Sequence, residues 1–137
     1  MKFVSYITIL GLFPFYFYHI DLIKNNLVPN FNIYYGFIIF GFLSGMQWIR
    51  AIEANRSLVE QSMPIITVFF VILIVNFGLQ LKFTVIFGLF FALLNEIFTQ
   101  GKFLSKNYLL LRFIITILAI YSFFLWLVNY YRLITVT

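Results

Sequence analysis

The chain has 137 residues, 64% hydrophobic and 9% charged, with a formal net charge of +5 and no cysteine. A water-soluble domain carries about 25% charged residues to cover its surface, so the surface of this chain is expected to face lipid. The absence of thiols excludes disulfides, thiolate metal sites, Fe–S clusters and cysteine nucleophiles, a lone His19 excludes an internal bis-histidine haem site, and singly scattered basic residues form no stripe for nucleic acid.

The charges fall between apolar blocks, and at roughly 20 apolar residues per crossing the length allows five short spans. The first block covers 3–20 and is interrupted by Gly11 and Pro14. A proline there frees the carbonyl of Leu10 and bends the axis. Met1-Lys2 followed by apolar residues resembles a signal peptide, but no small-residue cleavage site follows, so the block reads as a retained span. A polar link over 21–30 leads to the second block, 31–49. The stretch 50–61 carries Arg50, Glu53, Arg56 and Glu60 at helical spacings, which predicts side-chain pairing along a short surface helix. Ser62 reads as an N-cap and Pro64 as a first-turn residue, opening the third block, 63–79. A tight turn at Gln80-Leu81-Lys82 makes blocks three and four antiparallel neighbours. Block four covers 83–98. After a link over 99–107, block five, 108–133, is long enough to cross with tilt.

No period-two alternation supports a β-barrel. The expectation is an all-α integral membrane bundle, one transmembrane domain over 1–137 with five helices. With five crossings, one side holds Lys2, Arg50, Arg56, Lys102, Lys106 and Arg112, and the other holds Lys24, Lys82 and Arg132. Positive residues concentrate on the cytoplasmic side, which predicts a cytoplasmic N-terminus and an external C-terminus. In a mitochondrial setting the same side is the matrix.

Two groups of residues stand out. Gly41-Phe-Leu-Ser44-Gly45 places small residues on one face, where lipid-embedded helices approach closely; packing within the bundle is favoured over dimerisation. A polar cluster, Gln47, Arg50, Ser62, Asn95, Glu96 and Arg112, falls near one depth at the cytoplasmic ends of the spans. An ionisable residue inside a span is by default a functional candidate, although snorkelling to the headgroups weighs against it here. Glu96 is expected to meet Arg50 or Arg112, directly or through Gln47 or Asn95, because a carboxylate at that depth needs a cation within about 4–6 Å. No histidine base, serine elbow or metal-ligand spacing is present, so no catalytic, cofactor or metal residues are assigned. His19, Trp48, Trp126, Tyr130 and Tyr131 read as interfacial belt residues, and Asn76 and Asn129 as hydrogen-bonded between helices.

The segments Gly11-Leu-Phe-Pro-Phe15, Tyr35-Gly-Phe-Ile-Ile-Phe-Gly-Phe-Leu-Ser-Gly-Met-Gln-Trp48 and Ser62-Met-Pro64 resemble the GLxPF, "YGAxIxSFLGGxHWG" and "SxxP" or "SxP" elements of one family. It is a domain-of-unknown-function family of five-span inner-membrane proteins that includes mitochondrial transmembrane protein 69. The resemblance spans about residues 8 to 125 and implies the topology and location above. Where the family has His before Trp, this chain has Gln47, which cannot titrate near neutral pH; Ile49 replaces the following Gly.

The resulting expectation is a non-enzymatic protein of the bacterial cell inner membrane, or of the mitochondrial inner membrane in a eukaryote. It would act as an accessory, assembly or structural subunit beside a larger complex, with lipid and other membrane proteins as partners. A small transporter or lipid-binding protein using the polar cluster is the alternative.

Overall fold

A computed structural model describes residues 6, 8–19, 30–102 and 104–135. Among them, regular structure is helical throughout: α1 (Phe13–Tyr16) with a 3-10 turn Phe17–His19, α2 (Phe31–Glu53), α3 (Leu58–Asn76), α4 (Leu81–Asn95) with a π-helical turn Glu96–Gln100, and α5 (Lys106–Thr135). Four helices, α2 to α5, are long and apolar enough to cross a membrane. The ends of the expected first span, the link 21–29, and the side chains of Trp126, Asn129, Tyr130, Tyr131 and Arg132 lie outside the described residues.

The first block is not a continuous helix. Residues 8–10 are helical, the chain turns at Gly11 and Leu12, and α1 resumes with Pro14 in its first turn. Proline has no N–H to offer Leu10, and the Phe15 N–H bonds to the Leu12 carbonyl at 3.2 Å. The Gly11 carbonyl is thereby released, and the Tyr35 hydroxyl donates to it at 2.7 Å. Further along, the Tyr16 hydroxyl donates to the Leu118 carbonyl at 2.8 Å, and His19 Nε2 donates to the Ser122 carbonyl at 3.1 Å. Phe15 is buried and makes edge-on contacts with Tyr35 and Phe123. The broken segment is thus seated between α2 and α5 by its own polar groups and one aromatic anchor.

Several element boundaries differ from the sequence expectation. There is no separate surface helix at 50–61. Helix α2 runs on to Glu53 and ends with Asn55 in the left-handed region, where the Arg56 N–H reaches the Ala51 carbonyl. That bond skips back five residues and closes the helix in the Schellman manner. Ser57, not Ser62, is the N-cap of α3, its hydroxyl accepting from the Glu60 N–H; Pro64 therefore lies inside the helix. Arg56 and Glu60 do pair, at 3.1 Å. Gly78, at φ +83, ends α3 in a conformation that suits glycine, and the short link 77–80 makes α3 and α4 antiparallel.

The core gathers around α4, which packs against α2, α3 and α5. It includes Phe40, Val85, Leu89, Ala92 and Phe123. The glycines that allow this packing are not those expected. A Cβ at Gly36 would stand 2.5 Å from Val85 Cγ1, and one at Gly88 would meet the Phe40 ring at 3.2–3.4 Å, whereas at Gly41 and Gly45 it would meet nothing within 4 Å. Close backbone approach is therefore between α2 and α4. The Gly41–Ser44–Gly45 face instead lines a groove beside α3, with Trp48, Pro64 and Val68. Asn76 bonds to Ile72 of its own helix rather than to another one.

Candidate functional site

The end of α2, the π-turn after α4 and the start of α5 converge at one end of the bundle. Widening α4 into a π-helix at Glu96–Gln100 keeps both terminal polar residues of that turn buried; such turns recur where a helix must place a side chain out of regular register. Glu96 is 2% exposed. Its Oε1 accepts from Arg50 Nη1 at 3.0 Å, and its Oε2 accepts from Arg112 Nε at 3.0 Å. Both arginines flank the one carboxylate.

A second ring of polar groups completes the arrangement. The Tyr108 hydroxyl donates to Glu96 Oε1 at 3.3 Å and accepts from Arg50 Nη2 at 3.4 Å. The Arg50 guanidinium also stands 5.8 Å from the Tyr108 ring centre, within the range of cation–π attraction. Gln100 accepts from Arg50 Nη1 at 3.3 Å and donates to the Gln47 carbonyl at 2.8 Å, while the Gln47 amide donates to the Ala92 carbonyl at 2.7 Å. Three helices are tied through charged and amide groups in a low-dielectric setting, where each such bond is stronger than in water. Within this cluster, two buried polar atoms, Gln47 Oε1 and Arg112 Nη2, have no hydrogen-bond partner among the described residues.

Of the six residues expected to cluster, the structure brings together Gln47, Arg50, Glu96 and Arg112. Ser62 stands apart, its hydroxyl turned onto the Val59 carbonyl, and Asn95 faces α3, donating to Thr67 Oγ1 at 2.7 Å. Their helical positions carry them around to other faces even though their depth is similar. Gln100 and Tyr108 belong to the cluster and were not expected there. The signal for them is periodicity: Gln100 lies four residues beyond Glu96, and Tyr108 four before Arg112, so each shares the face of a charged neighbour.

Chemically, this is a clasp. Each carboxylate oxygen already receives a guanidinium, and the tyrosine hydroxyl is committed to both partners. Among the described residues no three His, Asp or Glu side chains assemble as metal ligands.

The chain belongs to the DUF3429 family of proteins of unknown function, whose model matches residues 1–128. No curated protein and no solved structure matches it.

Proposed function

We propose that this member of the family is a non-enzymatic inner-membrane protein that serves as an accessory, assembly or structural subunit of a larger membrane complex. The observation that carries the reading is the groove beside α3. It is lined by Gly41, Ser44 and Gly45, where an added Cβ would touch nothing within 4 Å. The Ser44 hydroxyl is buried there without a hydrogen-bond partner among the described residues. Small residues with an unmet hydroxyl suit a second transmembrane helix, which would gain close van der Waals contact and supply an acceptor. The clasp, with its carboxylate oxygens engaged, supports a structural rather than a catalytic use of the buried charges.

The topology belongs to the same proposal. The first block crosses as a fifth, broken span, the N-terminus and the clasp lie on the cytoplasmic side, and the C-terminus lies outside. Likeness to the five-span family that includes mitochondrial transmembrane protein 69 and the uneven placement of basic residues support this orientation. Reporter fusions after Gly101 are expected to be active only as cytoplasmic reporters, and fusions after Thr137 only as exported ones.

The partner is tested by mild-detergent purification with mass spectrometry of co-eluting chains. Gly45→Leu is expected to remove a stoichiometric membrane partner while leaving the thermal midpoint of the isolated protein unchanged, since the added side chain meets open space within its own chain. Recovery of the protein alone, or substrate flux in liposomes that is lost with Arg50→Gln, overturns the reading.

A further inference from the structure

A second apolar space lies on the opposite face of α2. Ile39, Phe42, Leu43 and Met46 point toward it, whereas Gly41, Ser44, Gly45 and Trp48 line the groove beside α3. At 100° per residue the two sets are about half a turn apart on the helix. The cavity, about 530 Å³, is bounded by the broken first segment, α2 and α5. That volume lies in the range of small-molecule sites, about 300–1,000 Å³. Leu10 and Phe42, both on its wall, are also exposed on the outer surface of the bundle, so the cavity opens sideways where acyl chains lie.

The lining is mostly apolar, with Phe15, Leu89 and Ile115 closing the interior; Thr8, Tyr35 and Thr116 add neutral hydroxyls, and its one charged group is Arg112, beside Tyr108. Arg112 is buried, is held by Glu96 through Nε alone, and keeps Nη2 without a partner among the described residues. A buried guanidinium donor without an acceptor is costly. The charge count points the same way: the clasp sets two guanidiniums, Arg50 and Arg112, against the single Glu96 carboxylate.

We infer that this cavity binds an anionic amphiphile, a single acyl chain ending in a carboxylate or phosphate, with the head group received by Arg112 beside Tyr108. The chain supplies what the apolar wall requires, and the head supplies both the missing acceptor and the missing negative charge. A neutral alcohol of the same length offers the guanidinium an acceptor but not the missing negative charge, and inorganic phosphate leaves the apolar wall uncovered. The site lies away from the groove assigned to a partner helix, so either proposal can fail without the other.

The test uses the full chain, delipidated by extended washing in a non-ionic detergent. Thermal midpoints are measured with palmitate, 1-oleoyl lysophosphatidate, 1-hexadecanol and inorganic phosphate. Palmitate, lysophosphatidate or both are expected to raise the midpoint by several degrees, identifying the head as carboxylate, phosphate or either; hexadecanol, which lacks the charge, is expected to raise it much less, and inorganic phosphate to leave it unchanged. Arg112→Lys, which keeps a cation for Glu96 but loses the planar donor fork, is expected to weaken the effective anion about tenfold. Leu43→Trp, which fills the cavity without touching the clasp, is expected to abolish the shift. The inference is overturned by an equal shift with hexadecanol, by no shift with either anion, or by a full shift in Leu43→Trp protein that keeps its own midpoint.

Discussion

Helices α3 and α4 are joined by the short link 77–80 and both are apolar enough to cross a membrane. The stretch over α3 is more apolar than the one over α4 and its π-turn, yet 17% of it is buried within the chain, against 39% for the latter. What separates them is the placement of small and polar residues. Thr84, Gly88, Ala92, Glu96 and Gln100 recur every four residues and are all buried, forming one face on which α2 packs closely and the clasp is built. On α3, Ser62, Thr67 and Asn76 bond to carbonyls of their own helix, and the large side chains Phe69, Phe70 and Leu73 are exposed. In lipid, apolar residues gain little by leaving the solvent, so helix contact follows small and polar residues instead. Hydropathy therefore identifies spans and says little about which of them lies at the centre.

The sharpest way to break this contrast is to remove the charge at the end of the α4 face. Glu96→Leu leaves Arg112 buried without its carboxylate, and breaking a buried pair from one side costs about 3–5 kcal/mol. The matched change on α3, Phe69→Ala, is expected to cost far less, because that side chain is 63% exposed on the bundle surface. Unfolding in mixed micelles measures both. Adding Arg112→Leu to Glu96→Leu is expected to recover most of the loss, and a double variant worse than the single one would show that the clasp does not act as a pair.

A smaller effect is expected from the glycines. Gly36→Ala drives a Cβ against Val85, and Gly88→Leu pushes a whole side chain into the Phe40 ring. Overpacking of this kind typically costs about 1–3 kcal/mol. Gly41→Ala, facing open space, is expected to leave the unfolding midpoint unchanged. Equal losses at Gly41 and Gly88 would mean that the α2–α4 crossing is no tighter than the groove beside α3.

Much of this layout is legible in the sequence, for physical reasons that also mark where reading stops. Long uncharged runs announce α2 to α5 because the bilayer sets their length. The contact between Glu96 and the two arginines follows from shared depth, since three charges at one level, two of them buried and Arg50 half-buried, have few other partners. Depth alone, however, does not give rotation about the helix axis, which is why Ser62 and Asn95 seem to belong with the cluster and do not. The α2–α3 boundary is ambiguous because Ser57 and Ser62 both offer capping hydroxyls, and Pro64 suits the first turn of a helix begun at Ser62 although it stands nearly two turns inside the actual one. The GxxxG-like element draws attention to Gly41 and Gly45, while the close approach occurs at Gly36 and Gly88, where the four-residue stripe of α4 is the informative pattern.

The smallest expected loss is the most specific one. Asn95 sits one residue before Glu96, so its side chain turns away from the clasp and meets α3, where its amide donates to Thr67 Oγ1. This is a neutral bond between two apolar helices, and Thr67 also has a local outlet, the Met63 carbonyl at 2.8 Å. Thr67→Val keeps the shape of the side chain and removes its oxygen. Interhelical hydrogen bonds measured in a membrane protein average about 0.6 kcal/mol, because the separated helices also find partners. Thr67→Val is therefore expected to cost about that much, several-fold less than Glu96→Leu in the same micelles. A loss as large as that of Glu96→Leu would place α3 in the structural centre alongside α4, and the contrast between the two helices would then rest on burial alone.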